Sequence, residues 1–236
     1  MEFRLLSKFR ALFDGHVYLH RKSNQGDFVA MQLYEDLVTI DRSSKLIGGI
    51  ERHLKVLNAQ NRAHGIKARR GDGTFGEIVP GETPLIDPGF AVARGTIATV
   101  EIGVEVKILA KAMIKQIDRV ITDLVNQAEQ FRKHGDDPIC VGIVGINYAD
   151  KYVSWEKDRS YPTTGRNGYL HPIQEAAEAD KRLRNLAAPS FNEFIILPYK
   201  ASNEPPYPFE WTDLGATTKD YASVLTRISS GYQRRP

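Results

Sequence analysis

The chain has 236 residues, of which 42% are hydrophobic and 26% charged. That is the composition of an ordinary globular protein, long enough to bury a full core without staples. A single cysteine, Cys140, excludes an internal disulfide framework and a multi-cysteine zinc site within one chain. No run of about 18 apolar residues is present, which argues against a membrane span. Residues 1–8 lack the apolar stretch of a secretory signal, so a cytoplasmic location is expected. Net charge is only +3, so its distribution matters more than its sum.

Residues 16–40 alternate polar and apolar in places and read as strand-like or mixed structure. Ser43 or Ser44 can cap a helix running to about His64, with Leu46, Ile47, Ile50, Leu54 and Leu57 on one face and Gly65 as its end. Residues 69–76 form a glycine-rich loop with Gly71, Gly73 and Gly76 at the dinucleotide-fingerprint spacing. The buried strand that must precede such a fingerprint is missing, which argues against a Rossmann site.

Residues 85–93 read as a strand, Arg94-Gly95 as a turn, and 96–109 as a second strand, together an antiparallel hairpin. The clearest helix covers 111–131, with Ile114, Ile117, Val120, Ile121, Leu124, Val125, Ala128 and Phe131 in a three-and-four rhythm. Residues 138–146 read as a buried central strand. A polar and aromatic loop with Trp155, Tyr161, Arg166 and Tyr169 covers 148–170. A helix at 173–186 and a strand at 191–199 follow, then an irregular tail with a helix near Tyr221. The succession is that of a mixed α/β domain.

Charge is concentrated in residues 45–70, where Lys45, Arg52, Lys55, Arg62, Lys67, Arg69 and Arg70 face one acid, Glu51. Such clustering suits a polyanion, because phosphate contacts release condensed counterions. A solvated helix face beside a basic loop accounts for it equally well.

The chemistry is concentrated in Glu101-Ile-Gly-Val-Glu-Val-Lys107. In a strand, Val100, Ile102, Val104, Val106 and Ile108 share one apolar face, and Glu101, Gly103, Glu105 and Lys107 share the other. Gly103 leaves room between the two acids. The expected hairpin brings Asp87 beside this strand, at the level of Glu101 to Glu105. Carboxylates packed this closely repel and need a proton or a cation between them, and an all-oxygen set favours Mg2+ or Mn2+ over zinc. Lys107, about 6 to 7 Å along the strand from Glu105, can act on a water or a phosphate.

Asp87, seventeen residues, then Glu105-Val106-Lys107 resembles the signature of the PD-(D/E)xK nuclease superfamily, over roughly residues 70–200. The family places its aspartate on the first hairpin strand and ExK on the second, followed by a helix and a strand. Here Ile86 stands where the family's proline precedes the aspartate. The resemblance implies a restriction-endonuclease-like mixed sheet flanked by helices, with Asp87, Glu105 and Lys107 catalytic. It implies metal ligation by Asp87, Glu105 and the carbonyl of Val106. A further acid often precedes the hairpin, for which Glu77 is the best match and Glu82 the second. The implied organisation is an N-terminal elaboration with a basic helix at 1–65, a nuclease core at 66–200 and a C-terminal extension at 201–236.

The expected function is a Mg2+- or Mn2+-dependent DNA endonuclease of restriction or defence type, with the 45–70 cations on the DNA backbone. A homodimer is an expected assembly for such an enzyme. The alternatives are a structure-selective repair or recombination nuclease, and a non-catalytic nucleic-acid-binding module on the same fold.

Overall fold

A computed structural model describes residues 2–20, 24–58, 71–111, 113–133, 136–156, 159–163 and 170–235, with 156 and 159–163 in backbone only. Its helices are α1 (Arg4–Arg10), α2 (Gln25–Ile40), α3 (Ser44–Glu51), α4 (Met113–Lys133), α5 (Pro172–Leu186) and α6 (Leu214–Gln233). Its strands are β1 (Lys55–Asn58), β2 (Gly73–Glu77), β3 (Arg94–Gly95), β4 (Ile102–Leu109), β5 (Ile139–Asn147), β6 (Tyr152–Glu156), β7 (Arg159–Thr163), β8 (Glu193–Lys200) and β9 (Glu210–Trp211). Seven strands form one mixed sheet in the order β3-β1-β2-β4-β5-β8-β9, and β6 and β7 form a separate antiparallel pair. Strands β4, β5 and β8 run parallel, and β2 lies antiparallel to both β1 and β4.

The parallel centre follows from its connections. Helix α4 carries the chain from β4 to β5, and α5 from β5 to β8, which is the crossover that parallel neighbours require. Strand β5 is buried along its whole length, as expected of a strand covered on both faces. On one face Ile102, Val104, Val106, Val141 and Ile143 pack with Leu33, Tyr34 and Leu37 of α2 and Val224, Leu225 and Ile228 of α6. On the other, Cys140, Val144 and Ile146 pack with Ile117, Leu124 and Ala128 of α4 and Ala176, Ala179 and Leu183 of α5. The fold is therefore mixed α/β, a sheet flanked by helices. Among the described residues no helix is long and apolar enough to cross a membrane.

Helices α4 and α5 and strands β5 and β8 fall within two residues of their sequence-based bounds, and the apolar face of β4 is the expected one, whereas the region 148–170, expected to be a loop, carries the antiparallel pair β6 and β7. Four further expectations are corrected. Residues 25–40 are helical, not strand-like, because Val29, Ala30, Leu33, Tyr34 and Leu37 make one buried helical stripe. The helix capped by Ser43, which accepts from Leu46 N–H, ends at Glu51. His53 then takes a left-handed φ of 54°, and the basic segment turns into β1. The 85–93/96–109 hairpin does not form. Residue 85 makes only an isolated bridge to Arg94, and Arg94-Gly95, expected to be a turn, is strand β3 pairing parallel to β1. The glycine-rich stretch supplies β2, which becomes the antiparallel neighbour of β4.

Glycine explains how β2 and β4 lie so close under α4. A Cβ on Gly103 would come within 2.4 Å of the Phe131 ring, and one on Gly71 within 2.3 Å. The space expected between Glu101 and Glu105 is thus filled by an aromatic ring. Gly103→Ala should destabilise the fold by about 1–3 kcal/mol through overpacking. Urea denaturation should show this loss, and Phe131→Leu in the same chain should recover part of it.

Candidate active site

Strand β4 extends past β2. Strand β5 pairs with all of Ile102–Leu109, but β2 pairs only with Ile102, Gly103 and Val104. Beyond that point a side chain takes over from the strand: Val106 N–H donates to Asp72 Oδ2 at 2.8 Å. Asp72 immediately precedes β2, and continuing the Gly73–Val104 register by one residue sets it opposite Glu105. Two further contacts fix it. The Tyr34 hydroxyl of α2 donates to the Gly73 carbonyl at 2.9 Å, holding the start of β2. Gly26, in the first turn of α2, lets the helix approach so closely that a Cβ there would lie 2.5 Å from the Asp72 carboxyl carbon.

Glu105 and Lys107 lie on the α4 face, two residues apart on β4. Lys107 Nζ donates to Glu105 Oε1 at 2.7 Å, with side chains 28% and 8% exposed respectively. Burial pushes the Glu105 carboxyl up to about 7, the nearby Asp72 charge pushes in the same direction, and Lys107 only partly offsets them. Burial works against the Lys107 ammonium, but Glu105, Asp72 and Asp123 of α4 hold its pKa above the ordinary value. The site is therefore two crowded carboxylates sharing one amine at the edge of β4.

Of the residues expected here, Glu105, Val106 and Lys107 come together, and Asp87 and Glu77 do not join them. Asp87 lies beside the edge strand β3, where Arg94 Nη2 donates to it at 2.7 Å. Three strand steps separate β3 from β4, about 14 Å at sheet spacing. Glu77 ends β2 in an ion pair with Lys55 at 2.9 Å, about 17 Å along the strand from Asp72. Glu82 is exposed on the following loop. Glu101 is bound by Lys55 and by the Tyr232 hydroxyl.

The basic segment is divided. Lys55 is engaged with Glu77 and Glu101. Lys45 donates to the Arg235 carbonyl at 3.0 Å and lies over the Tyr232 ring. Arg52 is exposed at the end of α3. Arg62, Lys67, Arg69 and Arg70 lie outside the described residues, as do Arg166 and Tyr169. Of Tyr161 only the backbone is described.

The residue missed from the sequence is Asp72. Its signal in the sequence is an acid between two glycines, Gly71 and Gly73, a place where other elements approach the backbone closely. Among the described residues no three or more His, Cys, Asp or Glu side chains are grouped to hold a metal by themselves. Asp72 and Glu105 would need a backbone oxygen, water or substrate to complete a coordination shell, the usual situation for Mg2+. Comparison of the chain with protein-family models, with curated proteins and with solved structures gave no match.

The raised Glu105 pKa fixes the sign of a pH effect. Between about 4.5 and about 7 the folded state keeps a proton that the unfolded chain has released. The stability this proton contributes is present at low pH and is lost as pH rises through that window. Glu105→Gln should therefore gain stability relative to wild type as pH goes from 4.5 to 8, by on the order of 2 kcal/mol. Thermal unfolding at the two pH values measures it, and a gap independent of pH would place Glu105 in a polar, uncrowded site.

Proposed function

We propose that this chain is a metal-dependent deoxyribonuclease of the PD-(D/E)xK type, in which Asp72 fills the role that the sequence suggested for Asp87. The observation that carries the reading is the convergence of Asp72 with Glu105-Val106-Lys107 on antiparallel neighbours, the two carboxylates crowded enough to raise one of them. The succession α2, β1, β2, β4, α4, β5 supports a restriction-endonuclease-like fold, with β2 and β4 as the antiparallel pair and 78–101 as their connection.

The donor set fits a hard divalent cation. Asp72 and Glu105 would hold Mg2+ or Mn2+ with the Val106 carbonyl as a third oxygen, and in this class of chemistry such a cation neutralises phosphate charge and acidifies water. The residues of the chain do the rest. The Lys107 ammonium, steered by Glu105, presents positive charge and an N–H donor to the attacking water or to a nonbridging phosphate oxygen. Asp72 accepts from the Val106 N–H, which holds its carboxylate beside Glu105. Phe131 and the buried β4 edge exclude bulk water and strengthen these charges. With all three side chains intact, a non-catalytic module is the weaker reading. Restriction-type and structure-selective enzymes share this apparatus and differ in what lies beside it.

Supercoiled and single-stranded DNA incubated with Mg2+, Mn2+ or EDTA should be cut only with metal. Asp72→Ala and Lys107→Ala should each lower cleavage by a factor of about 100 or more, whereas Asp87→Ala should leave it measurable. Cleavage that survives Asp72→Ala sinks the assignment. Mg2+ should also raise the melting temperature of wild type and not that of Asp72→Ala, because only a cation bound to the folded state stabilises it.

A further inference from the structure

A pocket of about 230 Å3 opens beside Asp72, between the first turns of α2 and the ends of β1, β2 and β3. We propose that it receives one unpaired nucleobase next to the bond that is cut, so that the substrate is DNA with a single-stranded end, flap or loop. The proposal rests on the nuclease reading and narrows it from sequence-reading to structure-selective cleavage.

Size, lining and charge each bear on the occupant. The volume lies below the 300–1,000 Å3 of pockets for drug-sized ligands, which suits one planar ring system. The walls offer what a base presents. Phe28 of α2 is 36% exposed, an aromatic face left in the open where stacking on a base is worth most. Met31 adds apolar surface beneath it. Asn24, which precedes α2 without capping it, and Asn58 at the end of β1 line the pocket and supply amides that can pair with the polar edge of a base.

Arg94 lines the pocket, but Asp87 grips its guanidinium through Nε and Nη2. Asp27 and Asp72 add negative charge. Among the described lining residues cations do not outnumber acids, and Phe28, Asn24 and Asn58 suit a neutral heterocycle with donors and acceptors. Asp87, remote from the two carboxylates, thereby gains a use: it fixes Arg94 as part of the pocket wall. Asp72 lines the pocket and also acts on Lys107, so a base held here lies next to the candidate site. Enzymes that take a base out of the stack pay least when it is already unpaired.

The probe is 2-aminopurine, whose fluorescence falls on stacking, in a single strand, in a duplex with a three-nucleotide flap and in a fully paired duplex. Binding is read in EDTA and cleavage in Mg2+, with wild type, Phe28→Leu, which keeps the apolar volume, and Asn58→Ala. The expected results are quenching by wild type for the single strand and the flap only, and a KM for those substrates about tenfold higher in Phe28→Leu with kcat within twofold. Unchanged melting temperatures would show that the variants fold. Cleavage of all three DNAs with no quenching, or with Phe28→Leu equal to wild type, overturns the pocket and leaves the nuclease reading standing. Quenching that Phe28→Leu abolishes, without cleavage in any metal, overturns the nuclease reading and keeps the pocket. Neither quenching nor cleavage overturns both.

Discussion

Everything at the candidate site depends on one buried carboxylate. Glu105 sits in the central strand of the sheet with its side chain 8% exposed, and an ionised carboxylate there is costly unless other charges compensate it. One amine two residues on cannot do this alone, because Asp72 brings a second negative charge to the same edge. The fold could have hidden either acid at less cost by replacing it with an apolar residue. It instead spends four glycines, Gly26, Gly71, Gly73 and Gly103, on bringing α2, α4, β2 and β4 close around this point. Local instability maintained by precise packing is the pattern of a site that works on a ligand, not of a surface that merely tolerates charge.

Helix α2 shows how the surroundings are anchored. Three polar residues on it, Gln32, Glu35 and Asp36, are buried, and each has partners. Asp36 accepts from the N–H groups of Arg4 and Leu5 and from the Tyr221 hydroxyl, tying α1 and α6 to the same helix. Glu35 accepts from the N–H groups of Ala91 and Val92, which fixes the segment leading from Asp87 to Arg94. Gln32 accepts from Arg4 Nε. The helix that presents Gly26 to Asp72 and Phe28 to the neighbouring pocket is thus held by buried, fully directional bonds, a stiffer support than apolar contact alone.

Those same bonds explain what the sequence could not show. A periodicity argument works on α4, β5, α5 and β8 because their buried faces are apolar throughout. On α2 the inward polar residues interrupt the stripe made by Val29, Leu33 and Leu37, and the exposed Phe28 adds an apolar residue on the wrong side. Strand β2 reads Gly-Thr-Phe-Gly-Glu, with two residues that strand propensity penalises and whose merit is close approach. Glu105 and Lys107 were legible because alternation in β4 is regular. Asp72 was not, because its place is set by the register of a glycine-rich strand, while a nearer acid, Asp87, stood at a plausible spacing in a segment with ordinary strand residues. Sequence proximity favoured Asp87; tertiary pairing brings Asp72 beside Glu105 instead.

Two acidic groups lie near the ends of β4, and their surroundings separate them. At the N-terminal end Glu101 and Glu77 share Lys55, Glu101 also receives the Tyr232 hydroxyl, and Arg235 donates to the Glu101 carbonyl at 3.0 Å. Lys45 lies over the same tyrosine ring. Here cations match or exceed the two carboxylates, hydrogen bonds hold both, and α6 is stapled to the sheet. Further along β4, Asp72, Glu105 and, across on α4, Asp123 act on the single ammonium of Lys107. The first group has its counter-charges built in, so an added cation would have to displace them. Among the described residues the second has more carboxylates than amines in a partly enclosed place, where a cation or a proton lowers the energy of Glu105. Composition alone would rank the two alike. The built-in partners make the first a structural cluster, and the second remains the candidate site.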